Sequence, residues 1–80
     1  MAKVVKTLTA VGFTEEEGKV YEAALLLGRA STSALARKSG LKRTSVYHYI
    51  DALLQHGLLA KDIDGKRVVY IAQNPNRLIA

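Results

Sequence analysis

Residues 32–57, TSALARKSGLKRTSVYHYIDALLQHG, read as two helices joined by a tight turn. The first is expected over about Ser33–Ser39. Thr32 is its expected N-cap, because a Thr hydroxyl accepts a bond from a backbone N–H that has no partner in the helix. Gly40 and Leu41 form the turn, with glycine supplying the positive φ that ends a helix and redirects the chain. The second helix is expected over about Arg43–His56. Gly57 stands where a helix takes a left-handed residue just past its end. Two short helices around a glycine-containing turn form the helix-turn-helix pattern, whose second helix is able to enter a DNA major groove.

The second helix separates into two faces at about 100° per residue. Val46, Tyr49, Ile50, Leu53 and Leu54 share the side expected to face a core. Thr44, Tyr47, His48, Asp51 and Gln55 share the other. That second set is hydrogen-bonding with few charges, the chemistry that reads base edges. A solvated helix face is also polar, so the pattern gains its meaning from context. Lys42 and Arg43 stand at the helix entrance, within reach of a phosphate or a guanine edge.

Eighty residues make one small domain, and 49% hydrophobic content supports a thin core. Absence of cysteine excludes disulfides and Cys-based metal sites. Neither a signal-peptide core nor a membrane span is visible, which makes the cytoplasm the expected compartment. The net charge of +5 is unevenly spread. Residues 1–28 hold three lysines against four glutamates, while residues 29–80 hold nine basic residues against three aspartates. The basic part coincides with the helix-turn-helix, as an electrostatic footprint for a polyanion would.

Outward from that stretch, Val4, Val5, Leu8 and Val11 recur at helical spacing, and Gly12 is a stop signal. Thr14-Glu15-Glu16-Glu17 is a capping box, with Phe13 placed for a hydrophobic staple in the first full turn. Its three acids suit the positive end of a helix dipole better than catalysis or a metal site. The helix continues through Val20, Tyr21, Ala24, Leu25 and Leu27 to Gly28, and is the expected main core helix. Arg29-Ala30-Ser31 reads as a link. Beyond it Leu35 and Ala36 face inward, with Arg37 and Lys38 outward near a helix C-terminus that favours cations.

After Gly57 the period changes to that of strands. Leu58–Ile63 and Lys66–Ala72 flank Asp64-Gly65, a two-residue hairpin signal, although Ile63 and Val68 also suit a four-residue loop. Lys61, Lys66 and Arg67 are expected at or near the tip, where they contact DNA or protect strand edges from aggregation. Asn74-Pro75 looks like another helix start, with Arg77, Leu78 and Ile79 in its first turn. The expected fold is mainly α with a small β-hairpin, a winged helix-turn-helix over residues 1–73, followed by the start of a C-terminal helix or tail over 74–80.

Gly12-Phe13-Thr14-Glu15, Lys19-Val20-Tyr21 and Ala23-Ala24-Leu25 resemble the opening of the TrmB family of transcriptional regulators. So do Ser39-Gly40-Leu41, Arg43-Thr44-Ser45-Val46-Tyr47 and Gln55-His56-Gly57-Leu58-Leu59. The resemblance spans about residues 8–77 and implies a DNA-binding module, usually dimeric, with its recognition helix in the major groove. By motif position, Arg43, Thr44, Ser45 and Tyr47 would face DNA. His48 and Asp51 lie where the family varies, as candidates for site preference. Family members commonly continue into a coiled-coil linker and a sugar-binding domain, neither of which is evident here, so no small-molecule effector is expected in this chain. Gly18 also departs from the family pattern, which favours a better helix former, at a cost of about 1 kcal/mol relative to Ala.

The expected function is sequence-specific double-stranded DNA binding, without enzyme activity, cofactor or metal. Arg43, Thr44, Ser45, Tyr47 and His48 would lie nearest the bases. Arg37, Lys38, Lys42, Lys61, Lys66 and Arg67 would hold phosphates, the wing using residues 61–67. No Gly-rich phosphate loop, HExxH or Ser/His/Asp set is visible. His48 is placed to pair with Asp51, and His56 to bond the carbonyls of the last turn. The rival reading is a winged-helix protein–protein interaction module of transcription or chromosome machinery, which would not need the entrance Lys42-Arg43-Thr44-Ser45. RNA binding lacks an aromatic-studded sheet.

Overall fold

The computed structural model describes the backbone of residues 2–73 and the side chains of residues 5–73. Asn74-Pro75 and the expected helix after it lie outside the described residues, as does the Val4 side chain. In chain order come helix α1 (Ala2–Ala10), helix α2 (Glu15–Leu27), strand β1 (Arg29–Ala30), helix α3 (Thr32–Ser39), helix α4 (Arg43–Gln55), and strands β2 (Leu59–Asp64) and β3 (Arg67–Ala72). The fold is the expected winged helix-turn-helix, mainly helical, with a small antiparallel sheet in the order β1-β3-β2.

The helix ends follow side-chain chemistry. Thr14 Oγ1 accepts from the Glu17 N–H while Glu17 Oε1 accepts from the Thr14 N–H at 2.7 Å, completing the capping box. The staple does not form, because the position where it would land is Gly18. Phe13 instead meets the His56 ring edge-on at a centroid distance of 4.9 Å. Ser31, not Thr32, caps α3, its hydroxyl accepting from the Ala34 N–H. The chain is still extended at Ser31, because Arg29 and Ala30 just before it pair with Ile71 and Tyr70. That pairing also corrects the reading of residues 29–31 as a plain link. At the end of α4 the Gly57 N–H bonds Leu54 O and the Leu58 N–H bonds Leu53 O, the crossed pair that a left-handed residue permits.

α2 is the central helix. Val20, Tyr21, Leu35, Val46, Ile50, Leu53, Leu58 and Leu8 are essentially fully buried, from all four helices and the loop before β2. Burying each stabilises the fold by about 1.5–3 kcal/mol. Tyr49 and Leu54 pack against this core from the edge, so the inward face of α4 is the expected one. Val11 is not part of it: it falls past the end of α1 and is about half exposed.

Gly18 has a packing reason that offsets its poor helix propensity. A Cβ there would stand 3.1 Å from Val5 Cγ1 and 3.2 Å from Val5 Cα. α1 therefore approaches α2 at a distance only glycine allows without displacement.

Tyr21 ties α2 to the end of the sheet, its hydroxyl donating to Gln73 O at 2.6 Å while the Gln73 N–H donates to Leu58 O at 2.8 Å. Burial pushes the Tyr21 phenol above its usual pKa of 10.0.

Candidate nucleic-acid interface

α4 begins unlike α2 and α3. α2 and α3 have side-chain caps, but Lys42, at the N-cap of α4, makes no side-chain cap bond. The N–H groups of Ser45 and Val46 both turn back to Lys42 O. Those of Arg43 and Thr44 have no partner inside the helix, and they lie beside two exposed cations, Lys42 and Arg43. Such an end favours an anion through both its free donors and its dipole.

The outward face follows directly. Thr44, Tyr47, His48, Asp51 and Gln55 are all exposed, and Ser45 is half-buried. Tyr47 holds a large ring 47% open to solvent in the middle of this stripe. His48 and Asp51 do not pair: among the described residues the ion pairs are Glu15–Lys19 and Arg29–Asp62. The polar groups of this face are thus uncommitted. His56 is spent as expected, its Nδ1–H donating to Ala52 O at 2.9 Å.

The loop lies one residue beyond Asp64-Gly65, and the register is the alternative one in which Ile63 and Val68 flank four residues. Asp64 pairs with Arg67 and Ile63 with Val68, leaving Gly65 and Lys66 as the loop. Gly65 has φ +66° and Lys66 has no positive φ, the pattern of a II′ turn, which takes glycine first. Lys66 and Arg67 occupy the tip. Lys61 does not: it sits mid-strand opposite Tyr70. Arg29 pairs with Asp62 across the central strand, which removes one acid from the wing's net charge.

Arg37 and Lys38 are exposed, but together with Leu27 and Ala34 they line an open groove of about 330 Å³ between the end of α2 and α3. Leu25, Leu26 and Leu27 next to it are 40–52% exposed. Leu25 and Leu27 were expected in the core helix without this exposure. The Ile63–Val68 pairing is the one implied by the alternative four-residue loop, but its exposure was not foreseen. Val11, Gly12, Phe13, Glu17 and His56 line a smaller groove of about 170 Å³. Among the described residues no cluster of three or more His, Cys, Asp or Glu side chains is placed to hold a metal. None of the described helices is long and apolar enough to cross a membrane.

Comparison with known proteins adds two findings. The family described as sugar-specific transcriptional regulator TrmB matches residues 8–76. The fold is similar to that of Bordetella bronchiseptica BpsR, with a TM-score of 0.76 and 21% identity, over 95% of this chain and 56% of that one. The BpsR structure concerns regulation of that protein's DNA binding by 6-hydroxynicotinic acid. The chain thus spans little more than half the length of BpsR. No curated protein sequence matches it.

Proposed function

The chain belongs to the TrmB family of transcriptional regulators, and on that premise we propose that it binds double-stranded DNA in a sequence-specific manner. α4 lies in the major groove, with Arg43, Thr44, Ser45, Tyr47 and His48 nearest the bases. Lys42, Arg43, Lys66 and Arg67 hold phosphates directly. Arg37, Lys38 and Lys61 add to the attractive field. The observation that carries this reading is the start of α4, where a helix end without a side-chain cap adjoins two exposed cations and a polar face that have no side-chain partners among the described residues. Working as a homodimer in the cytoplasm, two copies would present two such helices to two half-sites.

Titration of a random-sequence duplex at varied salt tests the phosphate contacts. Four neutralised phosphates per protomer give a slope near 3.6 in log affinity against log salt, at about 0.9 each. Arg43→Ala should lower the affinity and relax the site preference. If both stayed unchanged, the docking of α4 would be wrong. Sedimentation showing only monomer at micromolar concentration would remove the dimer.

A second reading, protein contact, is favoured by one observation: the exposed Leu25-Leu26-Leu27 end of α2 beside the groove at Ala34. A pull-down that survives high salt and competitor DNA would support it. The family is described as sugar-specific, and we propose for this chain the DNA-binding part of that work.

A further inference from the structure

The wing carries an apolar feature that the phosphate contacts do not use. Ile63 is 68% exposed and Val68 40%, and the two are directly paired across the hairpin. Side chains alternate between sheet faces, so Leu59, Lys61, Ile63, Val68, Tyr70 and Ala72 share one face. At the root of the hairpin that face is core: Leu59 and Tyr70 are buried. The same face continues past the body toward the tip, carrying Ile63 about 13 Å beyond Leu59 at roughly 3.3 Å per residue. There the apolar pair is bracketed by Lys61 on its own face and by Lys66 and Arg67 at the turn. A β-branched pair stabilises a hairpin modestly, but polar Thr–Thr does the same, so strand pairing alone does not call for exposed hydrocarbon.

We infer that Ile63 and Val68 form an apolar wedge that enters the minor groove beside the α4 site and selects A·T over G·C steps. The inference rests on the DNA reading above and names a specificity determinant within it. The occupant follows from charge and shape. Around the pair Lys61, Lys66 and Arg67 outnumber Asp64, with Asp62 paired to Arg29, so the tip is net positive, which suits the phosphate rims of a groove and opposes burial against a basic copy of the same hairpin. The minor-groove floor differs between base pairs in one donor, the guanine N2 amine. Hydrocarbon pressed onto that floor leaves the amine without a hydrogen-bond partner and meets it sterically, whereas an A·T floor has no such group. Apolar side chains in other minor-groove proteins act at this surface, often by opening a base step.

The test uses the full chain and a selected duplex, with the base pairs flanking the α4 site set to A·T, inosine–cytosine or G·C. Inosine lacks the N2 amine and keeps the other minor-groove groups of guanine. The wild type should bind A·T and inosine–cytosine flanks alike, and G·C flanks about tenfold more weakly, the effect of a typical mismatch. The Ile63→Thr/Val68→Thr variant keeps β-branching at both positions. It should lose most of that preference while the salt slope and thermal midpoint stay near wild type. Ile63→Val, which removes a single methylene, gives the same readout at smaller amplitude if the double variant fails to fold. A wild type that binds with a steep salt slope but ignores the flank, or a Thr variant that keeps the preference, overturns the wedge and leaves the DNA reading standing. No duplex binding by the wild type at low salt overturns both.

Discussion

Gly18→Ala sets two opposing effects against each other at one atom. Alanine is the better helix former by about 1 kcal/mol, so an unobstructed site in α2 would gain that much. The added methyl, however, would stand 3.1 Å from Val5 Cγ1 and 3.2 Å from Val5 Cα, against about 3.5–4.0 Å for relaxed carbon contacts. One of those neighbours is backbone, so relief requires α1 to retreat by a few tenths of an ångström. Overpacking of this kind costs about 1–3 kcal/mol. α1 is a nine-residue helix, and a small shift of a peripheral element falls at the low end of that range. The expected net is a loss of between zero and about 1 kcal/mol, or a midpoint lowered by up to roughly 4–8 °C for a domain of this size. Thermal and urea unfolding followed by circular dichroism measure it. The calibration is Lys19→Ala against Lys19→Gly, at an exposed position of the same helix. That pair should show the full alanine advantage. If Gly18→Ala gained as much as the Lys19 pair differs, the close approach of α1 would not constrain the site and the reasoning would fail.

Other outcomes follow from the packing. Leu35→Ala removes a side chain with no solvent exposure and should cost about 2–5 kcal/mol, enough to unfold much of so small a domain at 37 °C. Tyr21→Phe deletes the hydroxyl that donates to Gln73 O and should cost about 1 kcal/mol, read as a lower urea midpoint. The same change has a pH signature. The folded Tyr21 pKa lies above 10.0, so its contribution is fully present below pH 10 and is lost as the pH rises through the folded value. Tyr21→Phe should therefore flatten the alkaline decline of stability, and an unchanged decline would count against burial of the phenol. Asp62→Asn breaks an exposed ion pair with Arg29 and should change stability by less than about 1 kcal/mol while strengthening DNA binding at low salt.

Where a physical preference was local, the sequence was a good guide. The two faces of α4 followed from helical period alone, and the Thr14 box from one hydroxyl and one carboxylate. The misses came from partners distant in the chain. Arg29-Ala30 is too short for any alternation to register, and it is a strand only because β3 lies beside it. That pairing keeps Ser31 extended and shifts the cap by one residue from Thr32. Asp64-Gly65 and Gly65-Lys66 are both acceptable turns, and both registers put Leu59 and Tyr70 on one face, so neither the turn residues nor the alternation distinguishes the observed pairing of Leu59 with Ala72 and Ile63 with Val68. Gly18 reads as a weakness in the sequence because its constraint comes from Val5, thirteen positions earlier and on another helix. In the site, the cationic entrance to α4 was legible, but the groove that Arg37 and Lys38 share with Leu27 required the α2–α3 contact.

The order β1-β3-β2 also bears on how the chain reaches this state. β2 and β3 are joined by a two-residue loop and can zip as soon as both exist. Ala30 must wait for Tyr70, forty positions later. Closing a loop of that length costs about 2 kcal/mol more entropy than closing one of four residues. Addition of β1 to the sheet is therefore expected after the hairpin has formed, on a nucleus already collapsed around α2. During synthesis on the ribosome the helix-turn-helix emerges before the strand that completes its sheet, with one short extended segment still unpaired. Mutations at Ala30 or Tyr70 should then act mainly on the unfolding rate, and mutations at Val20 or Leu53 on the folding rate.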